Sequence, residues 1–293
     1  MSITLDASYV HCQRSARRAA SSFYYSFWLL PREKRQAMCT LYSFLRRTDD
    51  LGDSTASLEC RRSSLEAWRS SLERAWTGSF DDPLLPALVD TVQRYEIPHV
   101  YLTDVLDGVE MDLSLHRYET FEELQLYCHR VASAVGLACI HIWGFESDRA
   151  LLLARECGLA FQMTNILRDL KEDALQDRIY LPMSDLRHFN YDPSELKQSL
   201  KNERFFTLME YEIDRVEKLF DAALELELHL SPDGRPVFRA MVSTYRGLLE
   251  EIKRRRGDVF SRRIRIGRWK RLRIVLGWLL FPRRAGSALL STG

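Results

Sequence analysis

Asp49-Asp50-Leu51-Gly52-Asp53 sets two carboxylates, Asp49 and Asp53, four residues apart. On a helix that spacing puts them on one face, one turn from each other. Reading back in fours from Asp49 meets Leu45 and Leu41. The acids therefore prolong an apolar stripe, and such a stripe faces an interior. A second run, Asn165-Ile166-Leu167-Arg168-Asp169-Leu170-Lys171-Glu172-Asp173, repeats the arrangement. Asn165, Asp169 and Asp173 recur every fourth residue, with Phe161 and Cys157 preceding them on the same face. A lone pair of acids one turn apart is ordinarily a solvated helix surface. Two clusters that each continue an apolar stripe are harder to explain so, because like charges there repel and hydrate poorly unless a cation lies between them. Hard oxygen ligands on two facing helices suit Mg²⁺, which keeps some of its waters and shares the phosphates of a substrate. The candidate metal ligands are Asp49, Asp53, Asn165, Asp169 and Asp173.

Helices must carry these groups, and helical patterns recur almost throughout. The apolar periodicity predicts helices over 21–47 (interrupted at Pro31), 58–76, 86–95, 121–145, 148–173, 204–229 and 237–256. Short links containing Pro or Gly fall at 81–86, 181–193 and 231–236. The run Val131-Ala132-Ser133-Ala134-Val135-Gly136 is built of small residues and predicts a close approach of another backbone. No flexible linker and no internal repeat interrupts the 293 residues, so one helical domain over 1–260 is expected. With hydrophobic residues at 46% and Gly plus Pro at only 22 residues, the composition favours an all-α fold.

Charge is unevenly spread. Nine Lys and Arg and no acid follow from Ser261 onward, so the net +1 is the sum of a basic tail and a body of net −8. Arg262, Arg263, Arg265, Arg268, Lys270, Arg271 and Arg273 precede an apolar run, 274–281, and then Arg283 and Arg284. That run is far shorter than the roughly 20 residues that span a bilayer. A basic, Trp-containing segment over 261–293 suits an anionic membrane surface instead, and a terminal core helix with solvated arginines serves equally well. The acidic body and the absence of a recognised module argue against nucleic acid. Six cysteines form no CxxC pair, the seven histidines are scattered, and the N-terminus lacks a long apolar stretch. These features predict cysteines acting as small hydrophobes in a reducing, cytoplasmic setting, with peripheral attachment to the inner face of the membrane through the tail.

Three long motifs, in order, carry a resemblance. SSFYYSFWLLPREKRQAMCTLYSFLRRTDDLGD (21–53), YCHRVASAVG (127–136) and GLAFQMTNILRDLKEDALQDRIYLP (158–182) resemble the squalene and phytoene synthase family over nearly the whole chain. The resemblance implies an all-α isoprenoid synthase fold with a central cavity between the two acid-bearing helices. It implies head-to-head joining of two prenyl diphosphates with Mg²⁺. The stretch YRGLLEEIKRRRGDVFSRRIRI (245–266) looks most like the bacterial presqualene diphosphate synthases of hopanoid pathways. That likeness implies farnesyl diphosphate as substrate; phytoene synthases, which use geranylgeranyl diphosphate, share all the core motifs. A non-catalytic membrane-associated partner of the same fold would be marked by loss of an acid or of Asn165, and both clusters are intact.

By the same match Ser22, Tyr245 and Arg262 belong to the diphosphate site. Arg46, one turn before Asp49, suits a phosphate oxygen. Arg168 adjoins the metal ligands and serves equally as a structural salt bridge. Phe23, Tyr42, Ala132, Val135, Gly136, Leu159 and Gln162 are candidate lining of a dry cavity that protects a carbocation, although helix packing explains any one of them as well. Tyr127 and Tyr180 are candidates for hydroxyls or ring faces near the cation. The segment 177–182, with Arg178, is a candidate cover over the phosphates. The stretch DGVEMDL (107–113), which ends Glu110-Met111-Asp112-Leu113, packs near the mouth of the site or is structural. No GxGxxG follows a strand, and the likeness to the shorter bacterial enzymes implies that no NADPH is used.

Overall fold

The computed structural model describes residues 3–19 and 22–264; the expected membrane segment from residue 265 onward lies outside the described residues. Among the described residues thirteen α-helices follow one another: α1 (Leu5–Ala19), α2 (Ser22–Ser26), α3 (Arg32–Gly52), α4 (Leu58–Trp76), α5 (Leu85–Arg94), α6 (His99–Asp112), α7 (Phe121–Cys128), α8 (Ala134–Trp143), α9 (Arg149–Leu175), α10 (Met183–His188), α11 (Pro193–Lys197), α12 (Glu203–His229) and α13 (Arg235–Arg254). Among the described residues there is no strand, only isolated bridges at Arg117 with Ile179 and Phe145 with Leu230. No described helix is long and apolar enough to cross a membrane.

The expected helices are present, with informative departures. Pro31, extended at ψ 155°, stops the chain after a short 3-10 turn (Phe27–Leu29) and starts α3 at Arg32. The stretch 121–145 is divided, because a π-helical turn (His129–Ser133) joins α7 to α8. Helices α1 and α6 were not singled out by the periodicity. In α1 only Ser8, Cys12 and Ala16 are buried, a narrow stripe of small residues at a spacing of four. Five of the six cysteines are buried among apolar neighbours, and Cys60 is exposed.

α9 is the axis of the molecule. Its buried residues, from Ala150 through Gly158 to Ala174, surround the helix instead of forming one stripe, as a central helix requires. It packs on α8, α12, α13 and the π-helical turn. α3 packs on α1, α4, α5, α6 and α8, and α6 also meets α8 and the π-helical turn, so α6 and α8 lie between the helices that carry the two acid clusters. The small-residue run does admit a close neighbour: it is Gly158 of α9, where a Cβ would stand 2.5 Å from the Ser133 Cα and 2.8 Å from its backbone nitrogen. A side chain at 158 would push α9 off the π-helical turn.

Candidate active site

Asp49 lies in the last turn of α3, and Asp53 is the residue that ends it, its N–H donating to the Asp49 carbonyl at 2.9 Å. The acids thus sit at the carbonyl end of a helix, where the peptide dipoles add negative potential and make a cation welcome. Leu41 is buried and Leu45 partly so, as the stripe required. Asp49 and Asp53 both stand exposed at the surface, so the stripe turns outward at its acid end, although protein surrounds much of the Asp49 side chain. That crowding, and then the charge of Asp53, push its pKa from 3.8 up to about 6. Asp173 on α9 behaves alike: burial first and Asp169 second raise it from 3.8 to about 7. The α6 residue Asp112 is within electrostatic reach of Asp49, Asp53 and Asp173, which belong to both acid pairs.

Basic groups ring this acidic focus. Arg46 pairs with Asp50 one turn on. Arg168 grips Asp169 with both arms of its guanidinium, through Nε at 2.9 Å and through Nη2. Arg263 reaches Asp169 at 3.0 Å and Glu172 at 3.4 Å. Arg262 was the residue expected here; its side chain is exposed, and its carbonyl accepts from Arg255 at 3.2 Å. Arg178 makes no ion pair among the described residues, although the charges of Asp112 and Asp53 act on it. It is a cation left to spare beside the carboxylates.

On the apolar side, Tyr245 is buried and stacks on Phe161 at 4.0 Å, and Asn165 Nδ2 lies 3.5 Å from the Tyr245 hydroxyl and 3.4 Å from Gln162 Oε1. Tyr42 meets Phe27 edge to face at 6.2 Å. Gly136 faces α9, where a Cβ would stand 3.3 Å from the Ala154 carbonyl, and Ala132 lies beside Gly158. Val135 packs against the core, and Leu159 is buried. Ser22 and Phe23 belong to α2 by backbone, and their side chains lie outside the described residues. His129 stands 3.5 Å from Asp104 on α6.

The segment after α9 folds back beside the one after α6. The Ile179 N–H donates to the His116 carbonyl at 3.0 Å, that of Met183 to Tyr118 at 2.8 Å, and Asp177 pairs with Arg117 and Lys197, each at 2.6 Å. The stretch expected as a cover is therefore fastened at both ends. This brings Tyr180 against Tyr127, ring centroids 5.1 Å apart, with Tyr118 stacked on Tyr180 at 6.0 Å. Both hydroxyls donate to Asp112, at 2.8 Å each. Asp112 and Arg263 are the groups that motif spacing did not assign.

Among the described residues no three His, Cys, Asp or Glu side chains close into a complete cation cage. What exists is two pairs of hard oxygen donors, in each of which one acid, Asp49 or Asp173, is pushed up by burial and by its neighbour's charge, with Asn165 in the same file as the second pair. That donor set fits a divalent ion that completes its shell with water and phosphate oxygens, in the manner of Mg²⁺.

A sequence model of the family described as squalene/phytoene synthase matches residues 16–270. Phytoene synthase of Arthrospira platensis is 38% identical over 283 residues, covering 92% of this chain and 91% of that protein. The 15-cis-phytoene synthase of Synechococcus elongatus is 36% identical, with 92% and 91% covered. Among solved structures, squalene synthase HpnC from Alicyclobacillus acidocaldarius superposes with a TM-score of 0.82 at 26% identity, covering 87% of this chain and 97% of that one. A dehydrosqualene synthase in complex with ligand gives 0.85 at 25% identity, with 98% of each chain covered.

Proposed function

Because this chain belongs to the squalene/phytoene synthase family, we propose that it joins two farnesyl diphosphates head to head to give presqualene diphosphate and free diphosphate. One observation carries the reading: Asp49 of α3 and Asp173 of α9, each raised by burial and by a neighbouring acid, both lie in electrostatic reach of Asp112, with Arg178 making no ion pair among the described residues. The C1–O bond of one substrate breaks and the electron pair leaves with the diphosphate. The allylic C1 cation is attacked by the C2–C3 double bond of the second substrate, and loss of a proton from that C1 closes the cyclopropane. A divalent cation held by Asp49, Asp53, Asn165, Asp169 and Asp173 would supply Lewis-acid neutralisation of the leaving group. Arg46 and Arg178 bind the phosphate oxygens, and Tyr245 packed on Phe161 keeps water from the reacting carbons. Stopping at the cyclopropane needs no hydride, hence no NADPH. The basic segment past residue 264 then serves, by its charge, to hold this catalytic body on an anionic membrane surface near its oily substrates.

The names of the solved relatives, squalene and dehydrosqualene synthases, support thirty-carbon chemistry. A second reading, phytoene formation from geranylgeranyl diphosphate, is favoured by the curated relatives at 38% and 36% identity. Incubation with each diphosphate and Mg²⁺, without NADPH, followed by mass spectrometry separates them. A thirty-carbon cyclopropylcarbinyl diphosphate is expected from farnesyl diphosphate. Forty-carbon phytoene alone would move the chain to the second reading, and no condensation product from either substrate would overturn both.

A further inference from the structure

The geometry points to Asp112 as a positioning residue that holds the phenol protons of both Tyr127 and Tyr180, leaving the two oxygens as paired electron-rich acceptors beside the reacting cation. The inference rests on the head-to-head reading and assigns a task to DGVEMDL, the stretch that the metal and phosphate groups left without one.

Each phenol carries one proton. Tyr127 donates to Asp112 Oδ2 and Tyr180 to Oδ1, both at 2.8 Å. The hydroxyls are 3.5 Å apart, and with both protons engaged on the carboxylate neither is free for the other. Both O–H dipoles therefore point at Asp112, and their oxygens turn lone pairs away from it. The rings are buried, at 4% and 8% exposure, and stacked, so little water is at hand to compete with the carboxylate for either hydroxyl. Asp112 ends α6, Tyr127 lies on α7 and Tyr180 follows α9, and the first is in electrostatic reach of Asp49, Asp53 and Asp173. The oriented pair consequently stands next to the point where the diphosphate would leave and positive charge would develop. Fixed dipoles with negative ends toward a developing cation lower its energy without reorganising, which is the most effective form of electrostatic assistance.

Asp112→Asn tests this with little change of shape. The amide oxygen still accepts from one tyrosine, but its NH₂ donates to the other and consumes a lone pair. The expected result is a fall in kcat of about 10- to 100-fold, with KM and melting temperature nearly unchanged. The double variant with Tyr127→Phe should lose little more than the worse of the two singles. Asp112→Glu keeps two acceptor oxygens and should retain more activity than Asn. An unchanged kcat, additive losses, equal losses in Glu and Asn, or a loss confined to melting temperature would each overturn the proposal, the last marking Asp112 as a mere cross-link. A second readout needs no turnover. With ¹³Cζ-labelled tyrosine, the resonances assigned by Tyr127→Phe and Tyr180→Phe should both move in Asp112→Asn, and static resonances would sink the geometry even if the wild type proved inactive on every prenyl diphosphate.

Discussion

Two groups of carboxylates lie within these helices, and the fold treats them in opposite ways. Glu212 on α12 is wholly buried, and Arg215 one turn on grips it with Nη1 at 3.0 and 2.8 Å. The same nitrogen reaches Asp185 on α10 at 2.8 Å, and the guanidinium lies 4.2 Å over the ring of Phe121 on α7. Burial pushes the Glu212 carboxyl up to about 8, but an arginine lies within 3 Å of it to share its proton or its charge, and the cluster ties three helices together. Asp49 and Asp173 have no such match. Their close neighbours in charge are Asp53 and Asp169, and the arginines nearby are shared, exposed or unspent. Asp49 and Asp173 are acids kept beside a like charge with no ion pair of their own among the described residues, and ionising them there costs stability unless a cation arrives. The matched cluster therefore reads as architecture, and the other is the one that the proposed function assigns to cation and diphosphate.

Activity is where the two groups should differ most. Asp169→Asn or Asp49→Asn removes one ligand oxygen charge and is expected to lower kcat by about 10³-fold or more, since Lewis-acid help to a leaving group is worth several kcal/mol. The melting temperature of Asp49→Asn should hold or rise, because a strained carboxylate has been neutralised, whereas Asp169→Asn also gives up the pairing with Arg168 and Arg263 and should lose some stability. Steady-state diphosphate release together with calorimetry checks both halves. Near-normal turnover in either variant would remove that residue from the metal site.

Stability should show the reverse. Arg215→Ala leaves Glu212 buried without its partner, so the carboxyl keeps its proton, and a buried polar group left unpaired costs about 1–3 kcal/mol. Denaturant unfolding should register that loss, while kcat per folded molecule stays within a few-fold of wild type. If kcat collapsed at unchanged stability, the matched cluster would belong to the catalytic machinery after all and the contrast would fail.

The unmatched group was legible in the sequence because it is a one-dimensional signal: Asp49 and Asp53 in register with Leu45 and Leu41, and Asp169 and Asp173 in register with Phe161 and Cys157. The matched group was not. Glu212 and Arg215 look like an ordinary surface pair three residues apart, and only the third dimension buries them under α10 and α7. Asp112 was hidden for a related reason, since its partners lie 15 and 68 residues away. The π-helical turn at His129–Ser133 escaped because one inserted residue leaves the apolar pattern on either side intact. Arg263 escaped because 262–264 has no helical period to say which of two adjacent, exposed arginines reaches Asp169. Helix periodicity, by contrast, placed the ends of α9, α12 and α13 within about two residues, the usual uncertainty of a helix end.

The smallest effect lies in the coupling of cation binding to pH. In the unfolded chain Asp49 and Asp173 ionise near 3.8; in the folded chain crowding and like charge hold their protons to about 6 and about 7. Between those limits the folded state binds more protons, so the metal-free protein should lose stability as pH rises from about 4 to about 7. A divalent cation competes with those same protons and binds the ionised form. The rise in melting temperature produced by Mg²⁺ should therefore be slight near pH 5.5 and grow to a few °C near pH 7.5. Asp49→Asn should flatten that growth, whereas Arg215→Ala, destabilised overall, should keep it. Scans with Mg²⁺ or a chelator at the two pH values measure it directly. A Mg²⁺ shift of equal size at both would mean that the ion does not bind where the like charges meet, and the distinction between matched and unmatched carboxylates would lose its functional half.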